Sequence, residues 1–323
     1  MRTIAVEEHF VTDQYQAAMK TVTGQGMAAP YMAAVYHKLA DLGASRLADM
    51  DAAGIDFQVL SLPGIGLDKL DRCAGTALAH DCNDSLAEAV QAHPDRFAGF
   101  ALLALQDPEN AAAELERCVT RLGFRGVMIS GTINGLFLDD PSFQPVLAQA
   151  EKLDVPIYLH PAPPPPVVYK AYFSGLPEGV DGALSTAGWG WHAETGLHSL
   201  RVVASGVLDR FPKLQFIIGH MGENLPFSLA RSEERLRPVT RHLQRKVSDY
   251  FHTNFHITTS GYFTMQPLLC ALTVFGADRI MFAVDYPYSP NTDGRVFLDN
   301  APLSPEDLAK IAHKNAEQLL KLS

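Results

Sequence analysis

Apolar residues gather along this chain in eight short runs: TIAVEEH (3–9), DFQVLSL (56–62), FAGFALLAL (97–105), FRGVMIS (124–130), VPIYLH (155–160), LQFIIGH (214–220), NFHITTS (254–260) and RIMFAVD (279–285). The runs are nearly continuous in Val, Ile, Leu and Phe rather than alternating, the pattern of strands buried on both faces. Amphipathic stretches separate them. SRLADMDAAG (45–54) and DPENAAAELERCVTRLG (107–123) each stop at a glycine, and SPEDLAKIAHKNAEQLLKL (304–322) opens with a Ser-Pro-Glu-Asp helix start. Eight strand–helix units predict an α/β fold, a (β/α)8 TIM barrel, as a single domain over residues 1–323. The alternative is an open doubly wound sheet, weakened because no Gly-rich dinucleotide fingerprint follows the first run. Excursions at about 11–43 and 161–190 are expected as long loops on the C-terminal rim, the first partly helical. The second begins PAPPPP and reads as a stiff loop exit more readily than as a ligand for a partner domain.

The last residues of the runs break the apolar pattern. The first ends in Glu7, Glu8 and His9, the fifth in His160, the sixth in His220, the eighth in Asp285. On a strand, Glu7 and His9 share one face. Glu8 takes the other, outward or anchoring the neighbouring strand end. A carboxylate beside an imidazole on an inner face is costly unless something compensates it, and a metal ion would. In a barrel the C-terminal strand ends converge on one mouth, so Glu7, His9, His160, His220 and Asp285 should meet there. Imidazole and carboxylate without cysteine suit Zn²⁺, Mn²⁺ or Fe²⁺ in a reactive rather than a structural site. Singly, each residue has a plainer reading; Asp285, before Tyr286 and Pro287, could cap a turn. His192 and His198 lie in WHAETGLHSL, where one could line the site or both could pack a helix; His256 faces either the barrel or its helices. The remaining histidines read as surface or local structure.

The net charge of −10, without a Lys/Arg run, argues against nucleic acid or an anionic membrane as partner. FAGFALLAL, the longest apolar stretch, is far below the roughly 20 residues needed to span a bilayer. No signal pattern opens the chain, and Cys73, Cys82, Cys118 and Cys270 are scattered, so a cytoplasmic protein with reduced thiols is expected.

Taken together, VEEHF (6–10), KLDVPIYLHP (152–161), IIGHMGENLPF (217–227) and ADRIMFAVDYPY (277–288) resemble the metal-dependent decarboxylase branch of the amidohydrolase superfamily, the dihydroxybenzoate decarboxylases above all. The likeness extends through RLADMDAAGIDFQVLSL (46–62), RFAGFALLALQDPENAAAELERCV (96–119), ETGLHSLRVVASGVLDRFPKL (194–214) and FHITTSG (255–261), and so covers nearly the whole chain. The resemblance implies that Glu7, His9, His160 and Asp285 hold one divalent ion, Zn²⁺ or Mn²⁺, with no organic cofactor. It implies Asp285, His220 and Glu223 as catalytic residues, with His220 a further ligand or the partner of Glu223. Arg231 and Tyr288 would bind substrate. Arg231 falls where the family has an arginine often supplied by a neighbouring subunit, implying a homodimer or homotetramer; its plainer reading is a surface helix charge. One departure stands out: Ala162 follows His160-Pro161 where several members carry arginine, which bears on substrate choice.

The expected reaction is non-oxidative loss of CO₂ from an ortho-hydroxybenzoate-type acid, with Asp285, protonated in the complex, delivering a proton to the ring carbon that bears the carboxylate. The alternatives are a metal-dependent hydrolase or hydratase of a lactone, amide or unsaturated acid, and a binding protein on an inactivated barrel.

Overall fold

The computed structural model describes residues 1–23 and 30–322. Each of the eight apolar runs contains a strand: β1 (Ile4–His9), β2 (Phe57–Ser61), β3 (Phe97–Gly99), β4 (Val127–Ser130), β5 (Ile157–His160), β6 (Phe216–Ile218), β7 (Phe255–Thr258) and β8 (Ile280–Met281). All paired neighbours are parallel, in the orders β1-β2-β3 and β4-β5-β6-β7-β8. Two seams close the ring. At the first, a parallel bridge joins Ala101 to Val127, and the Ala101 N–H donates to Gly126 O at 2.9 Å. At the second, β1 meets the segment after β8: Val6 N–H donates to Phe282 O at 3.2 Å and His9 N–H to Tyr286 O at 2.7 Å. The expected (β/α)8 barrel is what forms.

Its interior is a compact apolar layer of Ile4, Val6, Phe57, Val59, Phe100, Met128, Tyr158, Ile217, Met281 and Ala283, joined by Ala316 and Leu320 of the last helical segment. The alternate strand residues, among them Ala5, Leu60, Ile129, Leu159, Ile218 and Ile257, pack outward against the helices. Both strand faces are therefore buried, which is why the runs read as continuous rather than alternating. Cys82 and Cys118 are buried core residues. Among the described residues no helix is long and apolar enough to cross a membrane.

β3 and β8 fall furthest short of their runs, and in both a side chain has replaced a strand neighbour. Past β3, Leu102 gives its N–H to Asn83 Oδ1 (2.8 Å) and its carbonyl accepts from Asn83 Nδ2 (2.9 Å), so the chain leaves the ladder after Ala101. Past β8, the N–H groups of Val284 and Tyr286 donate to the two oxygens of Glu8, at 2.8 and 3.0 Å. Glu8 thus anchors the neighbouring strand end while wholly buried.

A bulge in β1 decides which glutamate does which job. Ala5 lies opposite Gln58 and Glu8 opposite Leu60, so Val6 and Glu7 together face one residue of β2. Ile4 and Val6 point inward; strict alternation would send Glu8 inward and Glu7 out. The extra residue resets the parity, and Glu7 and His9 both reach the mouth.

The first excursion carries helices Asp13–Thr23 and Pro30–Ala40, with residues 24–29 outside the described ones. The second carries short helices Pro166–Tyr172 and Val180–Ser185 before the long helix Gly190–Ala204. His198 of that helix is structural: its Nε2 accepts the Leu138 N–H at 2.9 Å, and burial pushes its imidazole down to about 4.

A neutral His198 contributes fully above the unfolded value of about 6.5, and the contribution is lost as pH falls toward 4, because only the unfolded chain takes up the proton. Thermal melts should therefore show up to about 2 kcal/mol of stability lost through His198 between neutral pH and pH 5. His198→Gln, which keeps an acceptor but cannot titrate, should flatten that slope; an unchanged slope would refute the assignment.

Candidate metal centre and active site

At the mouth, Glu7 and His9 are wholly buried, and His160 and His220 nearly so. Glu7 Oε1 and His9 Nε2 have no hydrogen-bond partner, although both are sequestered from water. Leaving two such atoms unpaired is costly, and both belong to one group of potential ligand atoms that also includes His160. Around them, His160 Nε2 lies 3.5 Å and His220 Nε2 3.9 Å from Glu7 Oε1, while Asp285 Oδ1 lies 3.1 Å from His9 Nε2 and Oδ2 3.9 Å from His220 Nε2. Ligand atoms about 2.0–2.2 Å from a shared divalent ion are separated by roughly these spacings. The donor set and its orphaned atoms fit one divalent cation.

The electrostatics agree. Burial lifts the Glu7 carboxyl above its ordinary value, against the pull of His220 and His9, so the anion lacks full compensation from the protein alone. Burial, reinforced by His9 and His220, pushes His160 down to about 3; it is the neutral imidazole that a metal requires. Burial would raise the Asp285 carboxyl, but His220 and His9 outweigh it and hold Asp285 well below the usual carboxylate range. Burial would lower His220, but Glu223, Glu7 and Asp285 overcome it and hold the imidazole well above its ordinary value.

A second layer aims these groups. Glu7 Oε2 accepts hydrogen bonds from the Tyr158 hydroxyl, the Ser260 hydroxyl and, at 3.3 Å, Thr258 Oγ1. With one oxygen so fixed, Oε1 alone faces the site. Gly219 at the end of β6 lets that carboxylate approach: a Cβ there would stand 2.8 Å from Glu7 Oε2 and 3.2 Å from Oε1. Behind β1, the buried Arg46 donates from Nη2 to His9 O at 2.6 Å, from Nη1 to Gln58 Oε1 at 3.2 Å, and stacks on the Tyr286 ring. His220 Nδ1 is 2.7 Å from Glu223 Oε1. The chain from His220 through Asn224 runs at positive φ, five residues in succession, a strained turn rather than a helix.

Of the residues singled out in the sequence, Glu7, His9, His160, His220, Glu223 and Asp285 are brought together. Tyr288 stands at the edge, its ring 5.8 Å from that of His9 and about two-fifths exposed. Arg231 lies elsewhere, exposed on helix Leu225–Leu236 and paired with Glu234 at 2.9 Å. His256, at the start of β7, sits 3.3 Å from Arg279 and away from the cluster. Ala162 meets Gly131, where a Cβ would come within 2.4 Å of the alanine's own. Beside it, Pro163–Pro166 and the 63–69 loop wall a cavity of about 470 Å³. Sequence reasoning did not single out Tyr158, Thr258, Ser260 or Arg46. Parity could have found the first: Tyr158 is two residues before His160 and shares its face.

A profile of the amidohydrolase family matches residues 36–322. Gamma-resorcylate decarboxylase of Rhizobium sp. (strain MTP-10005) is 38% identical, over 99% of this chain and 98% of its own length. Among solved structures, 2,6-dihydroxybenzoate decarboxylase complexed with 2,6-dihydroxybenzoate superposes with a TM-score of 0.91 at 38% identity, covering 100% of both chains. Dihydroxybenzoic acid decarboxylase from Polaromonas sp. JS666, with bound manganese and the inhibitor 2-nitroresorcinol, gives 0.90 at 36% identity over 99% of this chain and 97% of that one.

Glu7→Gln should abolish stoichiometric metal uptake, read by elemental analysis of dialysed protein. Gly219→Ala, which touches no proposed ligand except by crowding Glu7, should weaken manganese affinity by roughly 10–100-fold. Wild-type affinity in Gly219→Ala would mean that the close approach of Glu7 to β6 is unimportant.

Proposed function

The chain belongs to the amidohydrolase family, and within it we propose that this protein is a metal-dependent, non-oxidative decarboxylase of an ortho-hydroxybenzoate-type aromatic acid. It is a carbon–carbon lyase. The observation that supports the reading is the grouping of Glu7, His9 and His160 ligand atoms, with Asp285 Oδ1 3.1 Å from His9 Nε2 and His220 Nε2 3.9 Å from both Glu7 Oε1 and Asp285 Oδ2. Full-length similarity to relatives named for this reaction supports it.

A divalent ion, manganese or zinc, held by Glu7, His9, His160 and Asp285 would supply Lewis-acid charge opposite the substrate's carboxylate and ortho oxygen. Asp285 is placed to move a proton onto the ring carbon that carries the carboxylate. Against burial, His220 and His9 hold its carboxyl well below the usual carboxylate range, so it would take up that proton in the complex. His220, with Nε2 3.9 Å from Asp285 Oδ2, is the adjacent proton store, and Glu223 fixes its ring. Once the ring carbon is protonated, the electrons of the breaking C–C bond restore the aromatic system as CO₂ leaves. One proton enters and CO₂ departs, with no electron acceptor, so the reaction requires no organic cofactor.

Arg231 completes the reading in a neighbouring copy. It projects from an exposed helix that also carries Phe227, four residues earlier and 90% exposed. A cation and an apolar ring at that spacing share one helix face, suited to a second subunit whose substrate carboxylate Arg231 would meet. A homodimer or homotetramer follows.

Manganese-reconstituted protein should release CO₂ from members of a panel of ortho-hydroxybenzoates that includes 2,6-dihydroxybenzoate, and chelated protein should not; silence across the panel from metal-replete protein would overturn the reading. Asp285→Asn should lose roughly 10²–10⁴-fold in kcat beyond any loss of metal. Arg231→Ala and Asp285→Asn proteins, each nearly inactive, should recover activity when dissociated and reassembled together. Absence of recovery in verified mixed oligomers would place Arg231 outside the partner's site.

A further inference from the structure

Outside the ligand set, His192 is a buried polar group held at both ring nitrogens. It lies in the first turn of helix Gly190–Ala204 and is buried. Its Nδ1 is 2.6 Å from Glu223 Oε2, the oxygen that His220 does not use, and its Nε2 is 3.1 Å from Ala187 O. His220 and His192 together hold Glu223 down to about 2, against burial, so its carboxylate is ionised and only accepts. The carbonyl also only accepts, so His192 meets an acceptor at each ring nitrogen. The ring is further wedged edge-on against His220 (centroids 5.2 Å) and Tyr262 (5.3 Å).

The same helix face meets the strained turn again one helical turn later. Gly196 packs so closely that a Cβ would stand 2.8 Å from Glu223 O. His192 and Gly196, four residues apart, therefore grip Glu223 by its side chain and by its backbone. A run of positive-φ residues persists only where its surroundings over-determine it. Without His192, Glu223 Oε2 would be buried without a partner and the carboxylate free to turn, and Glu223 is what orients the His220 ring toward Asp285 and Glu7.

We propose that His192 is a positioning residue for the decarboxylation: it clamps the Glu223 carboxylate so that His220 presents Nε2 to Asp285 and the reacting ring carbon. The inference rests on the decarboxylase reading and deepens it. It places His192 outside substrate contact, so its loss lowers turnover and leaves substrate binding nearly alone.

The test is steady-state kinetics of His192→Phe and His192→Asn in manganese-loaded protein of measured metal content, with CO₂ release from 2,6-dihydroxybenzoate as the assay, or from the panel member that wild type turns over best. His192→Phe fills the space without donors; its kcat should fall roughly 10–100-fold with KM little changed and metal retained. His192→Asn, which restores an N–H at the Nδ1 position toward Glu223, should recover most of that loss. Full kcat in folded His192→Phe, equal losses in both variants, or a loss that tracks missing metal would overturn the proposal. So would a second equivalent of bound manganese that disappears in His192→Phe, since His192, His220 and Glu223 would then be ligands rather than a clamp.

A second readout needs neither turnover nor a folded variant. In zinc-loaded wild type labelled with ¹⁵N-histidine, His192 should show protons on both ring nitrogens and His220 on Nδ1; a bare His192 Nδ1 refutes the clamp. Wild type without CO₂ release on any benzoate overturns the decarboxylase reading instead, so the two failures are distinguishable.

Discussion

Everything at the mouth of this barrel answers to one buried carboxylate. Glu7 is wholly excluded from water, and the desolvation of an isolated carboxylate is among the most expensive acts a fold can perform. The protein meets half of that cost itself, through three hydroxyls on one oxygen, and leaves the other oxygen bare beside His9, His160, His220 and Asp285. The shortfall is what creates the affinity for a cation. A Glu7 satisfied at both oxygens would make a quieter core and a poorer metal site. The bulge in β1, the missing Cβ of Gly219 and the hydroxyls of β5 and β7 can all be read as conditions for holding that single group in place.

How much of this the chain discloses in advance depends on whether a residue looks out of place. Glu7, His9, His160, His220 and Asp285 interrupt apolar strands, and an ionisable group at the end of a buried strand has few plain explanations. The barrel is equally open to reading, because continuous apolar runs separated by amphipathic helices leave few alternatives. The supporting layer is hidden for the opposite reason. Thr258 and Ser260 are unremarkable in a strand, Arg46 looks like an ordinary helix charge, and His192 looks like helix packing until Glu223 is found against it. Strand ends were also misplaced at β3 and β8, because Asn83 and Glu8 take the place of a neighbouring strand, and a side chain acting as backbone leaves no periodic trace. Arg231 marks another boundary of legibility: its geometry in one chain is that of a surface charge, and its assigned role belongs to an assembly.

The site is held by rigid and costly local structure on one side and by packing on the other. His220 through Asn224 occupy a backbone region that L-residues avoid, and the helix carrying His192 and Gly196 is pressed against them. Strain of this kind is informative because it has no reason to persist in a barrel that merely needs to be stable. Beside the mouth, Ala162, Pro163–Pro166 and the 63–69 loop wall an open cavity.

The seam at which β1 meets the segment after β8 carries a further meaning. Glu8 clasps the Val284 and Tyr286 amides on one face of β1, while Glu7 and His9 look toward Asp285 from the other. The residue that locks the circle and the residues that face the mouth are thus consecutive, and their counterparts across the seam are interleaved. Until β1 meets the segment after β8, Glu7 and His9 cannot face Asp285. Closing the circle and assembling the catalytic centre are thus a single structural event at this seam.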